Sequence, residues 1–368
     1  MSRATSLEPG APERTGLAAV RPYGYGVWRL RGVSLLVHRR SVAVALGLAV
    51  LLAAVVVLYL CVGESFVPPA QVVRVLLGRP SPDQLVVGTL RLPRLVVGLL
   101  CGAAFGMAGA LIQTVARNPL ASPDVIGVTQ GAGAATVAAI SFNLVDYAQL
   151  PYASVAGGLA AALLVYVFAW RRGLHASRFV LVGIAVSVAL GSLIQLLLTK
   201  GDVLVAQQAK VWLTGSLNSR GYDQARPLVL VLLPAVPALF WAVRAQRVVS
   251  FDDQTATALG VRLNRVRLGL TALGVVLASV ATGASGPIGF VALLAPQLAR
   301  RLTRAPQIPL LSSALTGALV VVVADLLARR LFSPLELPVG VLTAVVGAPY
   351  LMWLISRSRN RDRSGGAS

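Results

Sequence analysis

Twelve residues, Ile288–Ala299, read IGFVALLAPQLA, and whether they cross a membrane decides the fold. Runs of roughly 10–14 apolar residues are more often re-entrant or buried than spanning, and Pro296 interrupts this one. Around it the case for membrane spans is plain. The 368-residue chain is 56% hydrophobic and 12% charged, with a mean hydropathy of +0.77. Soluble domains carry about a quarter charged residues, so this composition belongs to a polytopic membrane protein. Nine clear spans lie near Ser41–Val62, Leu95–Val115, Val125–Phe142, Ala153–Ala169, Phe179–Leu198, Leu228–Val243, Leu268–Ala284, Leu310–Leu327 and Val339–Ile355.

Charge assigns the short segment. If it crosses, there are ten spans, and the 33 Lys and Arg residues divide 23 inside and 10 outside. If it does not, every later loop changes side and the division becomes 18 to 15. The positive-inside bias selects ten spans with both termini cytoplasmic. The predicted fold is therefore all-α, with residues 41–357 as one ten-helix transmembrane domain. Residues 1–40, polar and rich in Arg, Pro and Gly, read as a basic cytoplasmic extension without regular structure. Residues 358–368 read as a cytoplasmic tail. No small-residue cleavage site follows a short apolar core, so the first span is read as uncleaved.

The net charge of +20 does not point to nucleic acid. The basic residues are scattered through short loops with no aromatic-studded patch, and read as topology determinants and contacts for anionic lipid. The two cysteines, Cys61 and Cys101, fall in or at the end of spans and read as packed thiols.

Several chemistries are excluded. Lys200 and Lys210 are the only lysines, and neither is followed by Ser or Thr, so no Walker A loop exists. His38 and His175 are isolated, which leaves no metal-ligand spacing. The Asp252–Asp253 pair lacks the further carboxylates of a membrane prenyl-transfer enzyme. Asp325 is the carboxylate that falls within a span, near its outer end and four residues before Arg329, where an i,i+4 ion pair is the simple reading. A stand-alone secondary carrier would need an acidic group near the midplane.

What remains points to transport. Gly98, Gly102 and Gly106 form a four-residue ladder in GLLCGAAFGMAGALIQ, with Gly109 beside it, which lets helix backbones approach closely. ARNPLASPDVIGVTQGAGAA makes a proline-fixed turn after that span. FDDQTATALG (Phe251–Gly260) reads as a short helix stopped by a C′ glycine, a docking element of about residues 250–261 for a cytoplasmic partner. Gly283, Gly286, Pro287 and Gly289 precede the short span, a broken-helix pattern that lines cavities in transporters.

LRLPR, GALIQTVARNPLASPDVIGVTQGAG, WLTGSL, ALGV, SGPIGFVALLAPQLAR and ELPVGVLTAVVGAPYLMWLI follow one another in order. Together they resemble the permease subunits of type II ABC importers for iron–siderophore complexes, haem and vitamin B12. The resemblance covers about residues 41–357. It implies two permease subunits, this chain with a second copy or a paralogue, above cytoplasmic ABC ATPase subunits that bind ATP and Mg²⁺. It implies an extracytoplasmic substrate-binding protein, and no cofactor on this chain. Thr257, Leu259 and Gly260 would belong to the coupling helix that seats in the ATPase. Asn118, Leu120, Ala176 and Ser177 would form the cytoplasmic gate. Arg91 and Arg94, with Arg329, would receive acidic residues of the binding protein. One departure stands out: Gln297 occupies a position where the family usually carries His.

Overall fold

The computed structural model describes residues 25–30, 33–146, 149–170, 176–251, 253–331 and 335–365. All ten expected spans are helices: α1 (Arg39–Cys61), α3 (Leu92–Ala116), α4 (Val128–Ser141), α5 (Leu150–Ala169), α6 (Ala176–Lys200), α8 (Tyr222–Val249), α10 (Leu263–Ser285), α11 (Val291–Thr303), α12 (Leu310–Arg330) and α13 (Val339–Gly365). Between them lie α2 (Pro69–Leu76), a π-helical stretch at Leu85–Arg91 that runs into α3, α7 (Val203–Leu213) and α9 (Asp253–Ala258). Among the described residues, seven helices are long and apolar enough to cross a membrane, and Val339–Trp353 is a shorter apolar run.

The chain folds around α3. Its apolar residues lie all round the helix instead of in one stripe, and such a helix must be enclosed by others. Accordingly α8, α10, α11 and α12 all pack on it, and most of Leu95–Ala116 is buried. By contrast α1 buries Leu48 and its last residues, Tyr59, Leu60 and Cys61, while Leu46, Val50 and Leu51 are exposed.

The short segment resolves as a half-length helix. α11 has 13 residues and α4 has 14, about 20 Å each at 1.5 Å per residue, which falls short of a bilayer core of about 30 Å. Both are therefore sealed by protein, and Val291–Gln297 is buried throughout. The turn into α11 depends on Gly286. It sits at φ +73°, and a Cβ there would lie 2.6 Å from the carbonyl oxygen of Trp212.

Two features differ from the sequence reading. Residues 1–24 lie outside the described residues, but Tyr25–Leu30 and Val33–His38 form an antiparallel hairpin, with Tyr25 opposite His38 and Leu30 opposite Val33. Tyr, Val and Trp at closely spaced positions supply the strand preference that an Arg- and Gly-rich composition obscured. At the other end α13 continues through the expected tail to Gly365. Cys61 and Cys101 are buried free thiols.

Candidate functional site

An open groove of about 730 Å³ runs along one face, lined by Ser122, Asp124, Thr129 and Gln130, by Gly191 and Gln195 of α6, by the Pro287–Leu293 turn and by Gly340 and Leu351. That volume lies within the range of ligand clefts. Leu120 lines it as well, whereas Asn118 borders a smaller hollow of about 170 Å³ with Gln113, Gln246, Gln297 and Arg300. The Asn118 side-chain oxygen accepts from the Leu120 amide at 2.9 Å, so residues 118–120 form one tight turn. Ala176 and Ser177 are the first residues of α6, and their side chains lie outside the described residues.

Among the described lining residues Asp124 alone is ionisable. Its carboxylate accepts from the Thr129 hydroxyl. Burial nevertheless raises it above the ordinary carboxylate range. A carboxyl raised on folding contributes stability that is complete below its unfolded value, about 3.9, and lost as pH climbs through the raised one. In Asp124→Asn this acid-side gain should vanish, flattening the fall of the thermal midpoint above about pH 4. Parallel pH profiles of parent and variant would exclude Asp124 as its source.

At the N-terminal end of α3 the arginines of LRLPR are buried, at 5% exposure for Arg91 and 7% for Arg94. Arg94 grips Asp325 with both arms, Nε to Oδ2 at 3.0 Å and Nη2 to Oδ1 at 2.8 Å, and donates from Nη1 to Glu336 at 2.9 Å. The Tyr59 hydroxyl donates to the same carboxylate at 2.6 Å. Arg329 approaches Asp325 at 3.6 Å, the expected i,i+4 pair, and lies 4.1 Å over the Tyr59 ring. Arg91 donates to the carbonyls of Leu60 (2.7 Å) and Ser65 (2.6 Å) and so closes the C-terminus of α1. Arg91 and Arg94, the residues expected to receive acidic groups of a binding protein, are thus bound within the chain. A buried carboxylate and open helix carbonyls both require donors, and a guanidinium offers five. These residues still border a hollow of about 550 Å³ together with Glu64, Arg220 and Arg330, and of the arginines there Arg330 is the exposed one.

At the C-terminal end of α3 the expected partner-docking helix is α9. Ala256 is buried beneath it, Thr257, Leu259 and Gly260 are exposed, and Gly260 takes the left-handed φ of +77° expected of a C′ glycine. Leu259 is 65% exposed. Asp253 at its start is held below the usual carboxylate range by hydrogen bonding from Arg267 and by Arg117. Arg117 carried no signal in the sequence beyond its place before Asn118.

The glycine ladder divides. A Cβ on Gly102 would meet the Gly317 carbonyl oxygen at 2.5 Å, and Gly106 lies against the backbone of Ser313 and Gly317, so both fix the crossing of α3 with α12. Gly98 faces the Leu217 side chain at 3.0 Å, a looser contact. Gln297, standing where His was expected, donates to Gln113 Oε1 at 2.6 Å, and Gln113 donates in turn to the Leu293 carbonyl at 3.2 Å. An amide thus ties α11 to α3 without a titrating group.

A model of the FecCD transport family matches residues 51–357. YfhA of Bacillus subtilis, described as a probable siderophore transport system permease protein, is 36% identical, covering 88% of this chain and 97% of its own. The ferric enterobactin transport system permease protein FepG of Escherichia coli is 38% identical over 81% and 91%. Among solved structures, a metal-chelate type ABC transporter in an inward-facing conformation superposes with a TM-score of 0.74 at 28% identity, covering 86% of this chain and 99% of the other.

Proposed function

This chain belongs to the FecCD transport family, and from that premise we propose that it is the permease subunit of an ABC importer that carries a ferric siderophore. It is a multi-pass membrane permease and not an enzyme; ATP is hydrolysed on a partner chain. The observation that carries the substrate reading is the open groove of about 730 Å³, with Asp124 as its one ionisable lining residue among those described. Such a groove suits a bulky chelate held weakly and handed over by another protein. The names of the relatives, for siderophores and for ferric enterobactin, support iron chelates over haem or vitamin B12.

In this reading the groove is half of a pathway, completed by a second copy or a paralogue. Leu120 and Asn118, with Ala176 and Ser177, form its gate on the cytoplasmic side. The exposed Thr257, Leu259 and Gly260 seat in the ATPase. The hollow bordered by Arg91, Arg94, Arg329 and Arg330 faces a substrate-binding protein, with the exposed Arg330 as the leading contact. Both termini are cytoplasmic; residues 1–40 and 358–368 flank the permease domain, and anionic lipid meets the basic loops.

Uptake of radiolabelled ferric siderophores, haem and cobalamin by cells carrying or lacking the gene tests the substrate. Loss of ferric siderophore uptake alone is the expected result, and loss confined to haem or cobalamin would overturn it. Uptake that survived ATP depletion and collapsed with a protonophore would mark a secondary carrier instead.

A further inference from the structure

Arg117 closes α3 in the left-handed conformation, φ 49° and ψ 31°, directly ahead of the 118–120 turn. From there its guanidinium reaches across to the segment leading into α9. Nη2 donates to the carbonyls of Val249 at 3.1 Å and Phe251 at 2.5 Å, and lies 2.8 Å from Asp253 Oδ1. Arg267 of α10 holds the same oxygen from the other side at 2.7 Å. One carboxylate at the start of α9 is therefore shared by arginines from two helices, and one of those arginines is joined covalently to the turn bearing Leu120. With the Arg117 and Asp253 side chains 40% and 53% exposed, their ion pair alone would be weak. The added carbonyl bonds make the contact a fork gripping the end of α8 and the start of α9 together.

We propose that Arg117 is a positioning residue, the strut that carries displacement of α9 to the Asn118–Leu120 turn at the mouth of the groove. The inference rests on the reading above, in which a partner ATPase drives α9. Movement of α9 must either pull Arg117 with it, along with the end of α8 that the same guanidinium holds, or break its contact with Asp253. Arg117 cannot move without the next residue, and Asn118 holds the Leu120 amide, so the turn follows as a unit. The path from partner to groove is thus a short run of bonded groups with no flexible gap.

The test uses the full complex of permease, ATPase and binding protein in proteoliposomes, with substrate moved per ATP hydrolysed as its readout. Arg117→Ala should lower that ratio about tenfold while ATP hydrolysis stays within about twofold of the parent. Arg117→Lys keeps the charge beside Asp253 but loses the fork, and should fall between. A second readout is maleimide labelling of Leu120→Cys, which the buried Cys61 and Cys101 leave free of background. Labelling should change on adding ATP with Arg117 present and stay fixed in Arg117→Ala. An unchanged transport ratio, transport and hydrolysis falling in proportion, or a labelling response that persists in Arg117→Ala would each overturn the strut. If the parent complex itself showed no ATP-driven uptake, the importer reading would fall instead.

Discussion

Arg94→Ala is expected to lose about 3–5 kcal/mol of stability and to reach the membrane in much reduced amount. Asp325 is fully buried, and Arg94 is its bidentate partner. Without that fork the carboxylate keeps the Tyr59 hydroxyl and an Arg329 contact at 3.6 Å, too little to hold a charge away from water. The size of the loss comes from the abandoned charge, not from the worth of the pair. Arg94→Met with Asp325→Leu should therefore recover part of it, since removing both partners of a buried pair is often neutral, while Arg329 loses the carboxylate it faces at 3.6 Å. Thermal unfolding in detergent of the parent, the single and the double variant measures both effects. A single variant within about 1 kcal/mol of the parent, or a double variant no better than the single, would show that the carboxylate is not the burden supposed here. The same geometry governs any test of docking. Reversing Arg94 to Glu would remove transport by unfolding the chain, so Arg330→Glu is the informative reversal.

The places where sequence reading succeeded and stopped have a physical basis. Hydropathy located nine of the ten spans, because burying about 20 apolar residues leaves a mark within a single window. The short α11 fell below that mark, and only the charge balance of all the loops placed it. Gly260 ended α9 where the C′ rule put it, since the left-handed turn is a local requirement. The arginines of LRLPR could not be read locally: Arg94 lies 231 positions from Asp325, and no pattern near either announces the other. A cation at the end of a span can be answered by a partner outside the chain or by an acid inside it, and local sequence does not choose between them. Arg117 went unread for the same reason, its contacts lying more than 130 positions away. Helices α2 and α7 were missed because 8 and 11 residues fill only part of a window sized for spans.

A larger loss than the helix-packing ladder alone would suggest is expected at Gly109, which lies just beyond it. A Cβ there would come within 2.6 Å of the Ala292 carbonyl carbon and 3.0 Å of its Cα, and both belong to the backbone of α11. In helices alanine gains about 1 kcal/mol over glycine, and at Gly98, where only the Leu217 side chain must yield, that gain roughly cancels the crowding. At Gly109 no rotamer change can relieve the overlap, so α11 must back away from α3 along its buried face. That shift stretches the Gln297–Gln113 bond (2.6 Å) and the Gln113–Leu293 bond (3.2 Å), leaving buried amides short of partners at about 1–3 kcal/mol each, on top of about 1–3 kcal/mol for overpacking. Gly109→Ala should thus lower the thermal midpoint in detergent sharply while Gly98→Ala leaves it nearly unmoved. Because the Phe290 turn at the head of α11 lines the groove, transport should fail in Gly109→Ala even in the fraction that folds. Equal midpoints for the two variants would mean that the half-length helix is held by something other than its close approach to α3.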